Sequence, residues 1–389
     1  MNKPINESFL PFSKPIISQE TIDEVVACLK SGWLATGPRV KQFEEDLRAY
    51  FNIKHSLVLT SATAGLFLTL KGMGIGEGDE VITTPMTFVA SLNTIVHVGA
   101  KPVLVDVDVN TYNIDVNRIK DAITPRTKAI MPVHFTGLPV DLDPIYAIAK
   151  EYGLRVIEDA AQAMGSCYKG KLIGSFGDTQ VFSFHPNKVM TSGEGGCINT
   201  SDDEFAKRVG ILRFHGIDRE SWNRYGKGGS QSYDVVDAGY KYNMLDIQAA
   251  IGIHQLRELP GFLAERTALA NRYNEFFRDR QEITLQGVPS YDHTRCWYIY
   301  TPLINPEVAG VTRDEFMSRM QEYNVGTGYH YCASHLYSFY QKKFGYKTGQ
   351  FPNAETISDR IVSLPLFPTM THADQDRVID AMFKIFDKK

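Results

Sequence analysis

The chain of 389 residues has no long apolar run, no low-complexity tract and no internal repeat. That excludes a membrane-spanning helix, a disordered linker protein and a solenoid. An excess of one charge is also missing: 41 Lys and Arg stand against 45 Asp and Glu, a net −4. Such a balance gives no field to attract nucleic acid or an anionic membrane. Cysteine is scarce. Cys28, Cys167, Cys197, Cys296 and Cys332 are odd in number, far apart and form no CxxC pair, so they read as reduced thiols. No metal site is expected, since His330 and His335 are five apart and do not share a helix face. The opening MNKPINESFLPFSKP lacks the apolar stretch of a signal peptide. A cytoplasmic setting is therefore expected, and the sequon at Asn6 is a chance match.

What remains is an ordinary globular composition, 43% hydrophobic and 22% charged, long enough for a large core and a smaller second unit. From residue 55 to 201, short apolar runs (HSLVLT, DEVITT, AKPVLVDV, TKAIMPVH, LRVIEDA, TQVFSFH, GCINTS) are interleaved with helical stretches at 62–71, 88–97, 116–122 and 142–152. That alternation predicts an α/β fold with a mainly parallel sheet covered on both faces. Helix 202–216 follows, then a Gly-, Ser- and Tyr-rich loop at 224–243. Next come two helices, 244–259 and 263–280, broken near Pro260-Gly261. A smaller α+β unit closes the chain: strand 294–304, helix 313–323 and helix 372–386. The expected organisation is residues 1–50, with two amphipathic helices, packing on the small domain; a large domain at 51–257; and a small domain with its connecting helix at 258–389.

Four features carry chemistry. In Phe182-Ser183-Phe184-His185-Pro186-Asn187-Lys188 a buried strand ends in a hydroxyl, an imidazole and an amine, just before the turn Ser192-Gly193-Glu194-Gly195-Gly196. Ligands of open α/β sheets bind at the C-terminal ends of strands, where a desolvated lysine can form a Schiff base. A solvated loop lysine is the simpler reading of Lys188 taken alone. Asp159 ends the strand of VIEDAAQA. A carboxylate there can keep a proton on the ring nitrogen of pyridoxal phosphate, or merely cap the next helix. Thr60-Ser61-Ala62-Thr63 opens a helix directly after a strand, the setting of a phosphate site. Phe88 begins another helix, where an aromatic can stack on a cofactor ring or fill a core.

The order of these features, and the wording of GWLATGP, TSATAGL, GDEVITTPMTFVASLNTIVHVGAKPVLVDVD, VIEDAAQAMGS, FSFHPNKVMTSGEGG, GYKYNMLDIQAA and SLPLFP, resembles the nucleotide-sugar aminotransferases of the DegT/DnrJ/StrS group across nearly the whole chain. The resemblance implies an aspartate-aminotransferase-like, fold type I enzyme with a seven-stranded sheet and pyridoxal 5'-phosphate as cofactor. It makes Lys188 the Schiff-base lysine, Asp159 the partner of the pyridine nitrogen, Gln162 a neighbour of the ring and Phe88 its stacking aromatic. Ala62, Thr63 and Ser183 match the phosphate site, and Asn243 an asparagine reaching it from the partner subunit. A homodimer with shared active sites follows. His185, Lys241 and His330 are candidates for binding the sugar nucleotide; Arg213 and His215 receive no role. The implied reaction moves an amino group from glutamate to a keto sugar in ping-pong fashion. Lysine at 188 favours amination, because the related sugar dehydratases carry histidine there. GWLATGP, FSFH and GYKYN look most like enzymes acting at C4, of the aminoarabinose and spore-coat types. The rival readings are a dehydratase of the same fold and a ligand-binding regulator; no helix-turn-helix or basic surface favours the latter.

Overall fold

Each of the seven apolar runs forms a strand, and together they form one sheet. The structure is a computed structural model and describes residues 8–218 and 233–387. The sequon residues Asn6 and Glu7, and residues 224–232 of the expected loop, lie outside the described residues. In chain order the first strands are β1 (His55–Leu59), β2 (Glu80–Thr83), β3 (Lys101–Leu104), β4 (Thr127–Ile130) and β5 (Arg155–Asp159). A small hairpin of β6 (Cys167–Tyr168) and β7 (Lys171–Leu172) precedes β8 (Thr179–Ser183) and β9 (Gly196–Thr200). The sheet order is β1-β9-β8-β5-β4-β2-β3. From β8 to β3 the pairing is parallel; β9 runs antiparallel to both β1 and β8.

Side chains of a strand alternate between faces. Leu59, Ala129, Ile157, Val181 and Ile198 meet α3 (Ala62–Gly72), α4 (Ala90–His97) and α6 (Asp203–Leu212). Their neighbours Val58, Phe182 and Cys197 face the opposite way, toward α2 (Pro38–Phe51) and α7 (Asp246–Phe277), while Ile130 and Val156 meet α5 (Leu142–Tyr152). A sheet covered on both faces needs strands apolar along their length, and every residue of β2, β8 and β9 is buried. A second core gathers Leu269, Tyr273 and Phe277 of α7 with Phe316, Val378 and Met382. Its helices include α9 (Arg313–Glu322), which follows the one-turn α8 (Pro306–Ala309), and α12 (His372–Phe386), which follows α10 (Ser338–Phe344) and α11 (Pro352–Arg360). Capping boxes start α9 at Thr312 and α12 at Thr371. No helix among the described residues is long and apolar enough to cross a membrane.

Several expectations are corrected. The break at Pro260 does not occur: α7 runs unbroken from Asp246 to Phe277. Leu256, Leu259, Phe262 and Leu269 are buried on either side of the proline, so packing overrides its poor helix propensity. Only the arm before α1 (Gln19–Ser31) reaches the small domain, through Leu10 beside Val325. Helix α2 instead packs on the large sheet, with Phe43 against Phe184 and Phe51 against Phe182 at centroid distances of 5.4 and 4.8 Å. Residues 116–122 form two 3-10 turns, the first opened by the Asp115 carboxylate accepting from the Asn117 N–H. The expected strand 294–304 is interrupted because Trp297 takes a left-handed φ of 50°.

Candidate active site

Strands β5 and β8 are neighbours, so Asp159 and Ser183 end side by side at one rim of the sheet. Asp159 is buried, and its Oδ2 accepts from Ser91 Oγ at 2.7 Å while Oδ1 accepts from the Ala161 N–H at 3.2 Å. Burial pushes its carboxyl above the ordinary range; those two hydrogen bonds and the charges of Lys188 and His134 act the other way. Lys188 follows β8 by five residues, and its Nζ lies 4.2 Å from the centre of the Tyr298 ring. It makes no ion pair among the described residues.

The same charge on Lys188 acts on His330, whose pKa is lowered to about 4 by burial first and by that charge second. His330 Nδ1 is 2.8 Å from Ser363 Oγ, which leaves Nε2 for another partner. Phe88 is 54% exposed, too open for a core residue, and its ring meets Tyr331 at 5.7 Å. Tyr331 in turn feels Tyr298 and Asp159. Lys188, Asp159, His330 and Phe88 are thus brought to one cleft.

The other expected residues are placed as follows. Ser61 caps α3 by accepting from the Ala64 N–H, so the N–H groups of Ala62 and Thr63 have no partner among the described residues. Gly196 lies against this turn so closely that a Cβ would stand 2.5 Å from Ala62 N. Gln162 is buried beyond Asp159 and its Oε1 accepts from the Thr136 N–H at 2.7 Å. His185 is exposed and bonded to Asn187. Asn243 is not beside Lys188 in this chain; it bridges Leu59 at the outer edge of the sheet, bonded to Lys241 at 2.8 Å and to Thr36. It borders a cavity of about 450 Å³ shared with Glu44, Arg213 and His55. Arg213, which had no role, pairs with Glu44 and the Val58 carbonyl, a structural tie between α6, α2 and β1. Ser91, Tyr298 and Tyr331 were missed. Only Ser91 left a local trace, three residues after Phe88 in the same run PMTFVASLN.

A strand-end lysine, a strand-end carboxylate and a free helix start, on a seven-stranded mainly parallel sheet with a smaller domain, define a fold type I pyridoxal-phosphate-dependent transferase. The chain belongs to the DegT/DnrJ/EryC1/StrS aminotransferase family, whose sequence profile matches residues 15–383. It is 46% identical over 375 residues to the spore coat polysaccharide biosynthesis protein SpsC of Bacillus subtilis, covering 96% of each chain. Among solved structures, Spr1654 of Streptococcus pneumoniae in its PMP form superposes with a TM-score of 0.90 at 31% identity, over 97% of this chain and 99% of that one. PseC of Helicobacter pylori, an aminotransferase involved in the biosynthesis of pseudoaminic acid, gives 0.90 at 28% identity, over 98% and 100%.

The residues present fit the cofactor. A buried carboxylate with only neutral direct donors suits a cationic ring nitrogen. Unpartnered N–H groups at the start of α3 suit a phosphate, and an amine outside any ion pair suits an aldehyde.

Proposed function

We propose that the protein is a cytoplasmic homodimer that transfers an amino group from glutamate to the keto carbon, at C4, of a nucleotide-linked deoxy sugar destined for a surface polysaccharide or glycan. The observation that carries this is Lys188 beside Asp159 in one cleft of a chain of the sugar-aminotransferase family. The likeness to SpsC supports the polysaccharide setting.

Pyridoxal phosphate, when bound, supplies an aldehyde and an electron sink. Lys188 is the residue that would hold the aldehyde. Its freed Nζ then takes the proton from the α-carbon of the donor and returns one when the sugar amine forms. Asp159 would hold the proton of the ring nitrogen. Ala62, Thr63 and Ser183 would hold the phosphate, Phe88 would cover one ring face and Gln162 would lie near the ring edge. His330, neutral at physiological pH, offers Nε2 to a sugar hydroxyl; His185 lines the site, and Lys241, bonded to Asn243, meets the nucleotide diphosphate from the partner chain. Asn243 completes the neighbouring chain's phosphate site. Leu34, at 42% exposure, stands two residues before Thr36, which Asn243 bonds, and Leu245, at 40%, two residues after Asn243; such exposed apolar groups suit burial against a second copy.

The test is a panel of keto sugar nucleotides with glutamate, read by 2-oxoglutarate release and product mass. One 2-oxoglutarate per aminated sugar is expected. A sugar that loses oxygen without gaining nitrogen would make the protein a dehydratase instead. Lys188→Ala should abolish turnover; unimpaired turnover in that variant removes the basis of the reading.

A further inference from the structure

One short stretch of chain holds both Phe88 and Asp159. Between β2 and α4, residues 85–91 place the Phe88 ring outward and bury Ser91 completely on the first turn of α4. Ser91 Oγ is 2.7 Å from Asp159 Oδ2, and an ionised carboxylate only accepts, so the hydroxyl donates. Its longer alternative is the Phe88 carbonyl at 3.4 Å. Thr87 Oγ1 lies 2.7 Å from Ser91 Oγ. With the Ser91 proton spent on Asp159, Thr87 is the donor in that contact, and two hydroxyls in series end on the carboxylate. The stretch is clamped from the small domain as well. The Ser334 N–H donates to the Pro85 carbonyl at 2.8 Å, and Ser334 Oγ donates to the Thr87 carbonyl at 3.4 Å. Ser334 belongs to the loop that carries His330 and Tyr331.

We propose that Ser91, oriented by Thr87, is a positioning residue that fixes the Asp159 carboxylate and so governs how firmly the cofactor's ring nitrogen keeps its proton. This rests on the reading of Asp159 as the partner of that nitrogen. No solvent reaches Ser91 to replace a lost donor. Without the hydroxyl, burial raises the proton affinity of Asp159, and the shared proton moves from the ring to the carboxylate. The charge on the ring nitrogen lowers the proton affinity of the conjugated Lys188 nitrogen. Weakening that charge moves the titration of the Lys188 nitrogen to higher pH.

The experiment loads wild type, Ser91→Ala, Ser91→Thr and Asp159→Asn with pyridoxal phosphate and follows visible absorption against pH. In Ser91→Ala the midpoint should rise by about one pH unit, the size of one hydrogen bond to a charged group. Turnover should fall about tenfold with KM little changed. Ser91→Thr, which restores the hydroxyl, should return both toward wild type. A merely structural role would lower thermal stability and cofactor retention while leaving the midpoint of the retained cofactor unmoved, and that result overturns the inference. If the midpoint then still moves in Asp159→Asn, only the Ser91 step has failed; if it moves in neither variant, the Asp159 reading has failed too. Should Ser91→Ala not fold, Thr87→Val removes the orienting donor at nearly constant shape. A smaller rise supports the proposal, and an unchanged midpoint overturns it.

Discussion

Two adjacent carboxylates at the end of β5 show how differently one strand can use the same chemical group. Glu158 points to one side of the sheet and accepts from Tyr146 at 2.6 Å, Gln180 at 2.8 Å and His134 at 2.9 Å. His134 Nδ1 accepts from the Val140 N–H, so Nε2 is the protonated nitrogen that donates to Glu158. Asp159 points to the other side with one hydroxyl and one backbone N–H. Glu158 is thus saturated by the fold, and Asp159 has room for a cation. Glu158→Gln should cost about 1–3 kcal/mol of folding stability, because it sets an amide N–H against donors already in place. Asp159→Asn should leave the melting temperature of the cofactor-free protein nearly unchanged while turnover collapses. Thermal melts beside a glutamate half-reaction assay separate the two. His330 carries a pH signature of a different kind. Its pKa falls from 6.5 to about 4 on folding, so the unfolded chain binds more protons between those values. Stability is therefore full above pH 6.5 and is lost as pH falls toward 4. His330→Gln should flatten that part of the stability curve, measured as melting temperature against pH. Lys188 and Asp159 stood out in the sequence because one follows and the other ends a strand within a distinctive local run of residues. Ser91, Tyr298 and Tyr331 were not, because what matters is which residue from another element lies across from them.

At the level of elements, strands buried on both faces announced themselves as unbroken apolar runs, and α5 begins and ends where its periodicity and Gly153 place it. The misreadings arose where tertiary contacts overrule local preference. Pro260 passes through α7, and Trp297 turns left-handed and ends the run that 294–304 would otherwise make. Helices α10 and α11 went unseen because short helices carry little periodicity. One element junction bears directly on the cofactor. Where β9 begins, Gly196 lies between the end of β8 and the start of α3, and an added Cβ would be 2.5 Å from Ala62 N and 2.6 Å from the Phe182 carbonyl. Both are backbone atoms in well-packed elements, so relief requires moving the helix start itself. Gly196→Ala should cost about 1–3 kcal/mol. It should also weaken cofactor binding more than a substitution of equal stability cost far from α3, as read by equilibrium dialysis of pyridoxal phosphate. Equal loss in both would mean that the α3 start is not where the phosphate is held.

Among the described residues, α7 links the helices on the large sheet to the core of the small domain. The first half of α7 lies among α1, α2 and the large sheet, and its second half enters the small-domain core through Leu269, Tyr273 and Phe277. The boundary expected at residue 257 therefore falls within a single rigid helix. The site around Lys188 draws on both parts of the chain, since His330, Tyr331 and Tyr298 come from beyond α7 and Asp159 from before it. Asn243 bridges Leu59 of the edge strand β1. The proposed role of Asn243 is to complete the phosphate site of a neighbouring chain. Lys188→Ala and Asn243→Ala should each be crippled alone. Unfolded together and refolded as a mixture, they should recover up to about a quarter of wild-type activity, because half the dimers are mixed and each mixed dimer holds one intact site. If Asn243 served the site of its own chain, every mixed dimer would carry two damaged sites and nothing would be regained. The recovered fraction, measured against the mixing ratio, decides whether the working unit is one chain or two.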